Sequence, residues 1–266
     1  MQNTNKLITT QTTANKISIA THTLRAGLGL LLLGAACIPA WAATSTLNPT
    51  ADAYVRGGSY ASTNYGTAAT LTMQTSSTAA NNFDSYLKFD TTSVPNITNA
   101  KLRLYAALNT TGSVASTACA VADTTWGETA LTWNNKPARG TALGTITVAS
   151  TTYAWYEIDV TTYVQSEFAA GRKVVSFAYH DGANSTPLIN AYSKETANKP
   201  QLLITYNVAP TVSLTAPANN TVVTAPATIT LAATATDDGT ISKVEFYNGT
   251  TLLNTDTTAA YGYIWS

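Results

Sequence analysis

The chain has 266 residues, 14 Lys and Arg against 14 Asp and Glu, and only 11% charged residues, yet 45% of it is hydrophobic and 9% aromatic. The length allows one or two domains, and the apolar content is enough for a packed core, which excludes a disordered chain. No basic tract is present, which argues against nucleic acid and anionic membrane as partners, because both need clustered Lys and Arg.

At the N-terminus Lys16 and Arg25 precede the apolar run 26–36, and Ala40-Trp41-Ala42 places small residues before a cleavage point near Ala43. This pattern predicts a secretory signal over residues 1–42 and a secreted, extracellular protein. The run is too short for a spanning helix, so membrane insertion is not expected. A lipoprotein signal at Cys37 is disfavoured, since Gly34 stands where a larger aliphatic residue belongs. Cleavage removes three basic residues, leaving 14 − 3 = 11 against 14 acidic, a net charge of −3. It also removes Cys37, so Cys119 has no disulfide partner and is expected to be buried as a small apolar residue.

From residue 44 to 207 the pattern is strand, turn, strand. Leu87 and Phe89 alternate with Tyr86 and Lys88, Leu102 and Leu104 with Lys101, Arg103 and Tyr105, and Tyr156, Ile158 and Val160 with Glu157 and Asp159. Period two sends one set to a core and the other outward. Leu202-Leu203-Ile204 breaks the alternation and predicts a central strand covered on both sides. Residues 162–170 are expected to form at most one helical turn. Asn207-Val208-Ala209-Pro210 looks like a linker. Beyond it, strands are predicted at 212–214, 229–235, 241–247 and 251–253, with turns at Asp237-Asp238-Gly239 and Asn248-Gly249.

The phrases Ser85-Tyr86-Leu87-Lys88-Phe89-Asp90, Ala100-Lys101-Leu102-Arg103-Leu104-Tyr105, Thr125-Trp126-Gly127-Glu128, Leu131-Thr132-Trp133-Asn134-Asn135-Lys136-Pro137, Trp155-Tyr156-Glu157-Ile158-Asp159-Val160, Ser193-Lys194-Glu195 and Asn198-Lys199-Pro200-Gln201-Leu202 occur in this order. Together they resemble the DNRLRE domain, classified as carbohydrate-binding module family 96. The segment 236–247 resembles bacterial immunoglobulin-like modules. The expected fold is therefore all-β: an antiparallel, jelly-roll-like β-sandwich over 44–207, then an immunoglobulin-like sandwich over 208–266. The second is expected to be incomplete, a truncated piece of a larger protein, because such a sandwich usually needs about 100 residues.

The resemblance implies a secreted bacterial, non-catalytic module that binds polysaccharide, alginate-like or another acidic glycan being one possibility, attached to a polysaccharide-degrading enzyme or a surface protein. The alternatives are a structural or adhesive module without a glycan ligand, and a lyase or hydrolase in its own right. Glu157 and Asp159 share a strand face, but such pairs are common on solvated strands, and no Cys/His cluster or nucleophile elbow accompanies them. Sugars stack on aromatic rings while planar polar groups take their hydroxyls. Two sets fit: Tyr86, Lys88, Lys101, Arg103 and Tyr105 on two strands expected to be neighbours, and Arg56, Tyr60, Asn64 and Tyr65 in a Gly-rich loop. Trp126 and Trp133 are either sugar platforms or staples that hold a loop to the core, and their place in the family phrase points to staples. Calcium is the expected cofactor if any is bound, with Asp52 and Asp90 as ligands, since hard oxygen donors suit it.

Overall fold

The computed structural model describes residues 43–183, 186–224 and 226–266 with their side chains, and the backbone alone of β1 (Ile17–His22) and β2 (Leu31–Ala36). The expected Ala40-Trp41-Ala42 cleavage site lies outside the described residues. No described helix is long and apolar enough to cross a membrane.

Residues Ala43–Asn207 form one compact unit. Its elements are β3 (Ala43–Leu47), β4 (Ala51–Arg56), β5 (Thr70–Met73), β6 (Phe83–Asp90), β7 (Ile97–Leu108), β8 (Val114–Val121), β9 (Ala142–Val148), β10 (Ala154–Asp159), α1 (Thr161–Ala169), β11 (Val174–Asp181), β12 (Ile189–Tyr192) and β13 (Gln201–Tyr206), with two short 3₁₀ turns besides. One antiparallel sheet has the order β4-β6-β11-β8-β9. The other is built on β7: β12 and β13 lie end to end along one edge, Ile189–Ala191 facing Leu108–Ala106 and Gln201–Tyr206 facing Arg103–Ile97. β10 takes the opposite edge, β5 pairs with β12 and β3 pairs with β13. The two sheets face each other across a core of Leu71, Leu87, Phe89, Leu102, Leu104, Phe177, Tyr179, Ile189, Leu202 and Ile204, all essentially inaccessible. Each such side chain stabilises the fold by about 1.5–3 kcal/mol through area removed from water.

A second apolar cluster lies on the outer face of the five-stranded sheet. Ala51, Ala53, Val55, Tyr86, Val121 and Ala178 point away from the main core and are roofed by Trp126 and Leu131, with Trp133 packed alongside. Segment 122–141 is thus a lid that closes this face. Asn64 ties it to the 57–69 loop by donating to Glu128 O and Leu131 O, both at 2.7 Å. Gly66 passes so close to the Glu128 carbonyl that a Cβ there would overlap it.

Three sequence expectations need correction. α1 is a nine-residue helix rather than a single turn. Asp159 Oδ1 accepts the Thr161 N–H, Val164 is buried, and Tyr163 and Phe168 pack on the core, so tertiary contacts sustain a helix whose own apolar stripe is weak. β6 and β7, expected as neighbours, belong to different sheets. β13 is central, between β7 and β3, but Leu203 on its outer side is only half-buried.

The second unit holds β14 (Thr211–Ala216), β15 (Ile229–Thr236), β16 (Lys243–Asn248), β17 (Thr251–Asp256) and β18 (Tyr261–Trp265). β14-β15-β18 form one sheet, and β16 pairs with β17 on one side and with the backbone of β2 on the other. Val212, Leu231, Val244, Phe246 and Tyr261 fill its core. Gly249, at φ +60°, makes the tight β16–β17 turn that a residue with a Cβ disfavours.

Candidate functional site

Among the described residues no segment roofs the outer face of the β7 sheet, where Lys101 and Glu157 are exposed. Alternation along β7 puts Leu102 and Leu104 in the core and Lys101, Arg103 and Tyr105 outward. Register then builds rows across the sheet. Trp155 of β10 stands opposite Tyr105, and Tyr192, following the Ala191–Ala106 pair of β12, comes up on the other side. The ring centroids of Tyr105 are 5.2 Å from Trp155 and 5.4 Å from Tyr192. Tyr153, just before β10, packs 4.5 Å from Tyr192 and 5.6 Å from Tyr105. The next row is polar: Gln201, Arg103 and Glu157 face one another across three strands. The Arg103 guanidinium lies over Trp155, 3.8 Å from the ring centre. Its Nε is buried without a hydrogen bond and sits 3.9 Å from Glu157 Oε1. Lys101 Nζ donates to Glu157 Oε2 at 3.2 Å. Burial, then the neighbouring Tyr192, raises the Tyr153 phenol above its usual range, so it stays neutral. Half-buried rings beside a row of planar polar groups suit a pyranose: its C–H face stacks on the rings and its hydroxyls meet the polar row.

Residues 43–206 match carbohydrate-binding module family 96. The chain belongs to this family. Residues 210–266 match a bacterial Ig domain. A gellan lyase of Bacillus sp is 34% identical over 127 residues, which are 45% of this chain and 5% of that protein. The chain therefore spans about one twentieth of that relative's length.

Within this family 96 module the expected site residues separate. Arg103 and Tyr105 are together on the open face. Tyr86 is fully buried beneath the 122–141 lid, its hydroxyl donating to Pro137 O at 2.8 Å and its ring edge-on to Trp126. Lys88 donates to Thr124 O and Trp126 O, and burial lowers its pKa. Both follow the alternation outward from the main core, but the lid encloses them. Trp126 donates from Nε1 to Ser176 Oγ at 2.9 Å and is a staple, as is the half-buried Trp133 against the same cluster.

The Gly-rich loop set of the family 96 module forms a separate group. Arg56 donates to Ala80 O at 2.7 Å and its guanidinium covers the Tyr60 ring at 3.7 Å. Tyr65 stacks on Tyr54 at 4.3 Å. Tyr60 is the exposed member of this set, at 39%. Tyr153, Trp155 and Tyr192 escaped the sequence reading because they come from separate segments that only register unites. Trp155 and Glu157, in alternation with Ile158, were the available signal.

Asp52 and Asp90 do not meet. Asp90 is exposed and accepts the Thr92 N–H and hydroxyl, which lowers its pKa. Asp52 is buried, Glu128 half-buried and Glu195 exposed, and the three offer carboxylate oxygens within 4.8 Å of one another. The Lys194 ammonium pairs with Glu128 at 3.0 Å and Glu195 at 3.1 Å, and its backbone N–H donates to Asp52 Oδ2 at 2.7 Å. The donors are hard oxygens of the kind calcium takes, but a divalent ion would have to displace this ammonium. As arranged, the group is an ion-pair clasp between β4, the 122–141 lid and the 193–200 loop. Burial, then Glu195 and Glu128, pushes the Asp52 carboxyl up to about 7.

Proposed function

We propose that the family 96 module is a non-catalytic polysaccharide-binding module and that glycan docks on the Tyr192–Tyr105–Trp155 row. The observation that carries this reading is the gathering of four half-buried rings from separate segments on the unlidded sheet face, directly beside Arg103, Glu157 and Gln201. The opposite face is sealed by its own loop. The carboxylates on the open face are engaged in structural contacts, Glu157 with Lys101 and Asp159 with the first turn of α1, which favours binding over cleavage. We place the module outside the cell, exported by the leader expected over residues 1–42, as an accessory of a polysaccharide-degrading or surface protein. The similarity to a protein named gellan lyase supports that setting.

Affinity electrophoresis of the purified chain through gels containing neutral or acidic polysaccharides tests this, with a parallel assay for released products. Retardation without products is expected. Tyr105→Ala, Trp155→Ala and Tyr192→Ala should each weaken it about tenfold or more, as truncation of a central aromatic contact does, equivalent to about 1.4 kcal/mol. Tyr60→Ala should leave it unchanged. Product release would favour an enzyme, and retardation indifferent to all three aromatic substitutions would move the site elsewhere.

A further inference from the structure

We infer that the aromatic face takes a single hydrated polysaccharide chain, whose sugars can turn against one another, and not the flat surface of a crystalline polysaccharide. The inference rests on this face being where glycan docks. Tyr105, Tyr153, Trp155 and Tyr192 meet there, and the lie of their planes decides which arrangement of sugars can stack on them. A flat shelf needs rings side by side in one plane. Here the plane of Tyr105 is turned 52° from that of Trp155 and 57° from that of Tyr192, its neighbours on either side. Tyr153 lies nearer to parallel, 27° from Tyr105 and 35° from Tyr192, but its ring centre is only 5.6 Å from the one and 4.5 Å from the other. Rings side by side in one plane keep their centres about 6–7 Å apart, since both ring radii and a van der Waals contact lie between them. Closer, near-parallel rings overlap in offset stacks. The four rings therefore pack into one another, half-buried, and share no common plane. The Arg103 guanidinium also covers one face of Trp155, 3.8 Å from the ring centre.

The backbone works in the same direction. The rings come from β10, β7 and β12 and the segment before β10, and neighbouring strands are rotated by about 20–25° as the sheet twists. A crystal surface holds its sugar faces in one plane, so it would rest on one ring and be kept off the others. A free chain turns at each glycosidic linkage, so successive sugars can meet successive rings. The polar row favours the same ligand. Arg103, Glu157 and Gln201 lie beside the rings, where they meet hydroxyls on the edge of a sugar. In a crystal those hydroxyls are already bonded to neighbouring chains, and exposing them to this row would break bonds that the face does not replace one for one. The discrimination is thus built from a poor fit to the flat surface as much as from a good fit to the free chain.

The test uses the full chain in native gels containing alginate, polygalacturonate, galactomannan or hydroxyethyl cellulose. In parallel it is mixed with microcrystalline cellulose or crystalline α-chitin, and its depletion from the supernatant is measured. Trp155→Ala and Tyr192→Ala run beside it, with thermal melts to check folding, so that either can carry the comparison. At least one soluble polymer should retard the parent, each substitution should weaken this about tenfold or more, and neither crystalline solid should deplete the parent. Depletion by a crystalline solid that is lost in Trp155→Ala or Tyr192→Ala overturns the inference and leaves the face standing. Retardation or depletion that neither substitution weakens removes the face and the inference with it, as does absence of binding to every polymer.

Discussion

Asp52 is a carboxyl whose burial costs more than its partners return. It sits at the centre of the clasp, 1% exposed, with the Lys194 N–H as donor and Glu195 and Glu128 as like-charged neighbours. Its folded pKa, about 7, lies above the value near 3.9 of an unfolded aspartate. The folded state therefore holds this proton more tightly than the unfolded state. Stability from this group is fully present below about pH 4 and is lost as pH rises through 7. A shift of that size corresponds to at most about 4 kcal/mol. Asp52→Asn keeps an acceptor for Lys194 N–H without the charge. Urea unfolding at pH 4.5 and pH 8 should show the parent losing a few kcal/mol more than the variant over that interval. Equal losses would show that Asp52 ionises freely in the folded protein.

Among the elements, the 122–141 lid decides which sheet face is available. Trp126 fills the roof over Tyr86, and Tyr86 ties Pro137 down. Trp126→Ala should cost about 3–5 kcal/mol, the range for emptying a buried aromatic site. Tyr86→Phe should cost about 1–2 kcal/mol by leaving the Pro137 carbonyl without its donor. Equilibrium unfolding in urea measures both, and a loss below about 1 kcal/mol for Trp126→Ala would mean that the lid does not hold the face. The lid also explains what sequence could and could not convey. Alternation is a property of one strand, so the outward placement of Arg103 and Tyr105 and the buried phase of Leu102 and Leu104 were legible from β7 alone. The same rule sends Tyr86 and Lys88 away from the main core, but it carries no record of a loop folding over them. Nor does it say that β6 and β7, adjacent in the chain, part into different sheets. The helix α1 was underestimated because its stability comes from Val164, Tyr163 and Phe168 meeting the core and not from its own periodicity.

At the scale of the molecule, the chain combines a sandwich with one sealed outer face and one open aromatic face with a bacterial Ig domain. The all-β class and the phrases shared with family 96 were readable because strand patterning and short motifs are local. The platform was not, since Tyr153, Trp155 and Tyr192 become neighbours of Tyr105 only when β10 and β12 take opposite edges of β7. That convergence sets where a glycan can dock, and tryptophan indole resonances report on it directly. Trp155 lies on the platform, while Trp126 and Trp133 lie under and beside the lid. In ¹⁵N-edited spectra of the full chain, titration with neutral gluco-, manno- and galacto-oligosaccharides and with oligouronates should move the Trp155 indole signal with a binding oligosaccharide and leave those of Trp126 and Trp133 in place. A bound oligosaccharide that moves Trp126 or Trp133 and leaves Trp155 untouched would place the binding face on the lid side and not on the β7 sheet.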